Sequence, residues 1–299
     1  MKKLLLLFLL SGQFIFAQQI DVLSLNKIDK TSNGGFYHPV FSPDNQYLLT
    51  TDMNYDGLQL LQLSDFSTKM LTSDKGAGYG VQISNDGNYI LYRKTEMVKN
   101  LKYTSLNELN RTNLKIKTLI SRTRENISAS FAGNKSFVVK GTKLNRRAIP
   151  AKQITPVIRI ENRKMVIYQN SKQITLTPNG ADASYIWPSF SPDFSRIVYS
   201  VASKGTFICN IDGSNVISLG KLSAPKWMGN NWVVGMVDKD NGQEVISSAI
   251  VAVSADGKVR QQLTDDTVKA LYPAPAPDAK RIAFCTDNGE IYLINIEIK

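Results

Sequence analysis

What this 299-residue chain has little of sets the first limits on it. It carries one histidine, His38, so a serine–histidine triad would have a single position from which to draw its proton relay. No Gly-x-Ser-x-Gly elbow accompanies that histidine. Two cysteines, Cys209 and Cys285, are too few for a disulfide scaffold, and with one histidine they offer no zinc ligand set. Each sits in an apolar run and reads as a buried, unpaired thiol. Asp238-Lys239-Asp240-Asn241-Gly242 begins like a calcium loop, but Gly242 stands where an oxygen ligand belongs and no glutamate occupies the twelfth position. It reads as a turn between two strands. Gly76-Ala77-Gly78-Tyr79-Gly80 leads into a strand instead of opening a helix, so it reads as a connection and not as a phosphate cradle. The expectation is a non-enzyme with no catalytic, cofactor or metal site.

Long apolar runs are also scarce. Leu4 to Leu10 is followed by Ser11 to Ala17 and preceded by Lys2-Lys3, the arrangement of a secretory signal peptide. The run falls short of the roughly 20 residues that span a bilayer as a helix. Residues 1–17 are therefore read as removed on export, leaving 18–299 as a single domain, periplasmic or secreted. No cysteine follows the expected cut, so no lipid anchor is expected there.

Negative charge is missing from one long stretch. Between Arg93 and Lys172 there are 19 Lys or Arg against four Glu and no Asp, a balance of +15, while the rest of the chain carries −4. Such asymmetry bears on partners and association, not on fold.

What the chain has in abundance is a recurring phrase. Phe41-Ser42-Pro43-Asp44 precedes the apolar Tyr47-Leu48-Leu49, and Phe190-Ser191-Pro192-Asp193 precedes Ile197-Val198-Tyr199. Weaker copies are Ile83-Ser84-Asn85-Asp86-Gly87 and Ala276-Pro277-Asp278. The equivalent positions Phe41, Ile83, Phe131, Phe190, Trp227 and Pro275 have a mean spacing close to 47 residues. That period suits four-stranded propeller blades of the WD type, and the Ser-Pro-Asp phrase suits a type I turn between a blade's first two strands. In the fourth copy, strands are expected at Trp187–Ser191, Arg196–Ser200, Thr206–Ile211 and Val216–Leu219. The last copy ends without a fourth strand, and Ile20 to Ile28 alternates as a strand should. The reading is an all-β, six-bladed propeller of four-stranded antiparallel blades, with the N-terminal strand completing the last blade and sealing its edge.

The third copy has decayed to Phe131-Ala132-Gly133-Asn134, and its interval to the next is the longest. Gly141 to Lys152 reads as an insertion in a blade hairpin, lying inside the basic stretch. Lys143, Arg146, Arg147 and Lys152, with Arg122 and Arg124, are the candidate partner-binding residues. They would form a basic face on blades two and three for an anionic partner. That partner is an envelope protein or an anionic glycan such as lipopolysaccharide, engaged by a monomer or by a subunit of a larger assembly. Nucleic acid is not expected of an exported chain, nor is more than peripheral membrane contact. Tyr92, Tyr103, Phe131, Phe137 and Tyr168 lie in strand runs and read as core.

The spacing and the Phe-Ser-Pro-Asp phrase resemble the β-propeller repeats of the TolB family, and also the propeller half of prolyl oligopeptidase-type peptidases. The resemblance spans residues 20–299. It is to the propeller repeats and not to TolB proper, because the domain that precedes the propeller in TolB has no counterpart here. It implies a non-catalytic protein-interaction scaffold in the bacterial cell envelope. A carbohydrate- or peptide-active enzyme, or a small-ligand sensor, working at the central channel stands as the alternative.

Overall fold

The computed structural model of the chain describes residues 19–28, 35–132, 135–141, 143–146, 156–169, 172–265 and 267–299. Every regular element among them is a β-strand. Strand β1 (Ile20–Lys27) precedes the repeats. The first repeat is β2 (Tyr37–Phe41), β3 (Tyr47–Thr51), β4 (Leu58–Gln62) and β5 (Thr68–Thr72). The second is β6 (Gln82–Ile83), β7 (Tyr89–Val98), β8 (Leu101–Asn110) and β9 (Ile116–Thr123). The third holds β10 (Ile127–Ala132), β11 (Lys135–Lys140), β12 (Lys143–Arg146), β13 (Val157–Glu161), β14 (Lys164–Gln169) and β15 (Lys172–Leu176). The fourth is β16 (Tyr185–Phe190), β17 (Arg196–Val201), β18 (Gly205–Asn210) and β19 (Ile217–Gly220). The fifth is β20 (Ser223–Met228), β21 (Trp232–Asp240), β22 (Val245–Ser254) and β23 (Arg260–Gln262). The sixth is β24 (Leu271–Pro275), β25 (Arg281–Cys285) and β26 (Ile291–Ile298).

The result is a β-propeller closed as the sequence predicts. β1 pairs antiparallel with β26, from Ile20 opposite Ile298 to Lys27 opposite Tyr292, and completes a four-stranded sheet. The first, second, fourth and fifth repeats are meanders of four strands in chain order. The difference lies in the third repeat, where residues 127–176 form two three-stranded sheets, β10-β11-β12 and β13-β14-β15, in place of one four-stranded blade. Both belong to the ring, because β10 touches β6 and β13, and β13 touches β16. The long interval after Phe131 supplies enough chain for two narrow sheets, neither showing a fourth strand among the described residues. The expected insertion at Gly141–Lys152 is accordingly strand in part, with Lys143 paired opposite Lys140 and Arg146 opposite Phe137.

The core lies between blades. Leu49, Leu58 and Leu71 of the first repeat pack with Ile90, Tyr92 and Leu109 of the second. Val198 and Ile208 of the fourth pack with Val233 and Val251 of the fifth. Each fully buried aliphatic side chain contributes about 1.5–3 kcal/mol, so a blade is stable only against its neighbours. Tyr92, Phe131 and Tyr168 are buried as expected, whereas Tyr103 is half-exposed beneath the Arg122 guanidinium. Cys209 and Cys285 are free and buried, and burial pushes both thiols up to about 12.

The recurring phrase is a turn with a built-in clamp. Asn45 N–H donates to the Ser42 carbonyl at 3.0 Å, closing the turn over Pro43 and Asp44. The same bond joins Gly87 to Ser84 and Phe194 to Ser191. The residue after the turn has positive φ, +59° at Asn45, +71° at Gly87 and +59° at Phe194. The serine is buried because its Oγ turns inward to accept from the second strand, from Tyr47 N–H at 3.1 Å, Tyr89 N–H at 2.9 Å and Arg196 N–H at 3.0 Å. The hydroxyl proton goes to the aspartate in two copies, Ser84 to Asp86 and Ser191 to Asp193, each at 2.6 Å. Ser254 and Asp256 repeat the pair at 2.5 Å in the β22–β23 turn.

These pairs make stability depend on pH. The serine hydroxyls hold the Asp193 and Asp256 carboxyls below the usual carboxylate range. At Asp86 burial opposes the shift, and the bonds from Ser84 and Asn88 outweigh it. A carboxyl lowered in the folded state stabilises above its unfolded value, near 3.9, and the benefit is lost as pH falls through the folded value. The triple variant Ser84→Ala, Ser191→Ala, Ser254→Ala should therefore lose more Tm at pH 7 than at pH 3. Equal losses at both, measured by circular dichroism, would show that the serines act through the backbone alone.

Candidate functional site at the channel mouth

The innermost strands of four blades begin with the same irregularity. Tyr37 is opposite Thr51 and Val40 opposite Leu49, so three steps on β2 match two on β3. β16, β20 and β24 repeat this three-against-two bulge. Within each bulge one residue has positive φ, His38 (+50°), Trp187 (+52°), Ala224 (+49°) and Tyr272 (+52°), and each is followed by proline. The second repeat places Gly80 (+65°) at the same point, just before β6. A bulge leaves the ladder locally unpaired, so Pro39, Pro188, Pro225 and Pro273 forfeit little by lacking an N–H. The left-handed conformation costs a non-glycine residue about 1–2 kcal/mol, and a bulge re-aims the side chain it carries. Because every inner strand runs in the same sense, these side chains gather at one end of the ring.

Two of them, His38 and Tyr272, join an aromatic cluster there. The His38 ring stacks on Tyr55 with centroids 3.6 Å apart at 11°, and meets Tyr272 edge-on at 4.4 Å and 61°. Tyr55 in turn meets Tyr79 at 5.7 Å and 82°. Tyr55 is held by the β3–β4 turn, where Asp52 Oδ1 accepts from the N–H groups of Asn54 and Asp56, both at 2.8 Å. Asp56 Oδ1 accepts from Gly76 N–H at 2.7 Å, and Gly78 N–H donates to the Tyr55 carbonyl at 3.0 Å. The glycine-rich connection is therefore pinned under the cluster. Arg93 lies 5.5 Å from the Tyr79 ring centre and donates to the Tyr79 carbonyl at 2.6 Å and the Ile127 carbonyl at 2.9 Å, joining the second repeat to the third.

The rim is open and apolar. Tyr79 is 62% exposed, Met53 59% and Trp187 50%. Burial lowers the His38 pKa, opposed by its bond to the Met53 carbonyl and by the Asp52 charge. Its Nε2 lies 3.3 Å from that carbonyl and donates to it. Burial pushes the Tyr55 phenol up to about 12. Deeper along β20, Lys226 stands at the register position of Val40, Ser189 and Ala274. Its side chain is exposed, and desolvation by the surrounding chain lowers its ammonium below the ordinary lysine value. The arrangement offers ring faces, one imidazole and a lysine ammonium.

The residues singled out in sequence lie elsewhere. Arg122, on outer strand β9, and Arg124 just beyond it are exposed. Lys143 and Arg146 lie on β12, the edge strand of its sheet, so the described members of the set run along the outer strands of adjacent sheets. Arg147 and Lys152 lie outside the described residues, as does the expected signal peptide. His38, the sole histidine, is the centre of the cluster. Tyr55, Tyr79, Tyr272 and Lys226 were missed. The available signal was the dipeptide that recurs before the phrase, His38-Pro39, Trp187-Pro188, Ala224-Pro225 and Tyr272-Pro273.

No family model and no curated protein matches the sequence. Solved structures do. TolB from Acinetobacter baumannii superposes with a TM-score of 0.55 at 17% identity, over 82% of this chain and 58% of that one. The putative TolB from Agrobacterium tumefaciens gives 0.54 at 15% identity, over 89% and 91% of the two chains. The chain has the fold of a TolB-like β-propeller. The WD40 repeats of RRP9 give 0.64 at 8% identity over 93% of this chain and all of that one, and an oligogalacturonate lyase in complex with manganese gives 0.50 at 13%. These likenesses establish the architecture. The chain spans little more than half the length of the Acinetobacter TolB, and its chemistry is its own to argue.

Proposed function

We propose that this propeller is an exported, non-enzymatic interaction module of the cell envelope that grips a partner protein at the aromatic mouth of its ring. The observation that carries the proposal is the cluster of His38, Tyr55, Tyr79 and Tyr272, beside exposed Met53. Tyrosine and tryptophan anchors dominate protein interfaces because they bury much surface at small entropic cost. Two of the four bulges place tyrosine or tryptophan, Tyr272 and Trp187, and a third places His38, each at a local cost in backbone strain of the kind that gathers at binding sites. The likeness to TolB structures supports the scaffold reading, and the apolar head of the chain supports export. The basic residues on the outer strands supply a second, electrostatic contact that speeds association with an anionic partner.

Capture from envelope extract tests both contacts. The double variant Tyr79→Ala, Tyr272→Ala should reduce retained partner at least tenfold at every salt concentration. Charge reversal at Lys143, Arg146, Arg147 and Lys152 should weaken capture at low salt and matter little at high salt. Undiminished capture by the aromatic variant, with wild-type circular dichroism, would remove the mouth from the proposal.

A further inference from the structure

A second built site lies away from the mouth, on the face that the second repeat turns toward the first. β7 and β8 run for ten residues each, but β5, the neighbouring outer strand, has five. The longer sheet is left partly uncovered, and a groove of about 400 Å³ remains, within the range of small-molecule sites. Its walls are Asp74, Tyr92, Lys94, Glu96, Asn107 and Thr118. Tyr92 and Asn107 are buried, so their polar ends are fixed in place. The Tyr92 hydroxyl donates to Asp74 Oδ2 at 2.8 Å. Lys94 Nζ lies 3.2 Å from Asp74 Oδ1 and 4.0 Å from Glu96 Oε1. Thr118 donates to Asn107 Oδ1 at 3.1 Å. Ile116, half exposed, adds an apolar patch to this wall.

The chemistry narrows the ligand. Two carboxylates and one ammonium leave a surplus negative charge, which disfavours phosphorylated or carboxylated molecules. Lys94 stands where a divalent cation would bridge the two carboxylates. The polar lining suits neither a lipid nor an aromatic drug-like molecule. What remains is a ligand with many hydroxyls that both donate and accept, and an apolar edge to set on Ile116. Fixed carboxylate, amide and hydroxyl groups can pair with adjacent sugar hydroxyls without being reordered on binding. We propose that this groove binds a neutral or amino sugar residue of a glycan. The groove shares no residue with the aromatic cluster, and one of its walls, Ile116 and Thr118, lies on β9, the strand that also carries Arg122.

Titration calorimetry and saturation-transfer NMR with diacetylchitobiose, cellobiose, glucosamine and digalacturonate test it. At least one of the first three should bind with a Kd on the order of 1 mM or tighter, as weak sugar sites do. Asp74→Asn should weaken that binding at least tenfold, and Ser105→Phe, which fills the groove from a strand position suited to aromatic residues, should abolish it. Circular dichroism and Tm confirm that both variants are folded. Binding unchanged in folded Ser105→Phe, no binding of the first three probes, or preference for digalacturonate would each overturn the proposal. So would calcium displacing a bound sugar from the groove.

Discussion

A chain that starts at residue 35, and so lacks β1, should fail to give a cooperatively melting protein. The strand does two jobs at once. It pairs along its length with β26, and it buries Ile20 completely among Met228, Trp232 and Val234 of the fifth repeat and Phe284 and Ile294 of the sixth. The backbone is gripped as well: Ile20 N–H donates to Gln261 Oε1 at 3.0 Å, and Gln261 Nε2 donates back to the Ile20 carbonyl. Without β1 the edge of β26 is unpaired, and the fifth and sixth blades lose a shared anchor. Open sheet edges invite pairing with other chains, so aggregation on expression is the expected phenotype. A milder probe is Ile20→Ala, which leaves the strand and removes its buried side chain. Its cost should be about 2–5 kcal/mol, lowering Tm on the order of 10 °C. Thermal melts followed at 218 nm by circular dichroism read both variants. A truncated chain that melts at the wild-type temperature would mean that the ring does not depend on its closing strand.

The ring was legible because its signals are local and repeated. The serine of the phrase recurs in three copies because its hydroxyl meets the second strand's N–H, at Tyr47, Tyr89 and Arg196, whatever the neighbouring blade contributes. The closing strand was legible because β26 had no fourth partner in its own repeat. In the fourth repeat the predicted strands fall within two residues of the observed ones. The third repeat was harder to read for the same reason in reverse. Without the turn phrase nothing local marks where one sheet stops, and Lys143–Arg146 looks like loop although it pairs with β11. The mouth was only half legible. His38 stood out for being the sole histidine, but its stacking on Tyr55 and edge contact with Tyr272 join the first repeat to the sixth, and no period in the sequence encodes that contact. The sugar groove was illegible for a similar reason, since it depends on one blade being longer than the next.

Where those two narrow sheets meet, a buried ion pair braces the join, and its loss should have the second-largest effect. Arg159 on β13 is 9% exposed, and its Nε donates to Glu161 Oε1 at 2.5 Å. The same carboxylate accepts from the Tyr168 hydroxyl at 2.5 Å, and the guanidinium lies 4.7 Å from the Tyr168 ring centre. Arg159 Nη2 reaches across to the carbonyl of Gly141, in the turn between β11 and β12. The network therefore ties the second narrow sheet to the strand that carries Lys143 and Arg146. Glu161→Ala would leave a buried guanidinium without its counter-charge, at a cost of about 3–5 kcal/mol. Replacing both partners by apolar residues, Arg159→Met with Glu161→Leu, should cost much less, because no charge is then stranded. Urea denaturation of the two single variants and the double gives the coupling directly. Hydrogen exchange should show where the damage falls, with protection lost in β10–β15 before β20–β23. If the double variant is as unstable as Glu161→Ala, the residues matter for shape and not for charge. If it is stable but captures partner poorly, the join serves to hold the basic edge strand in place for its contact.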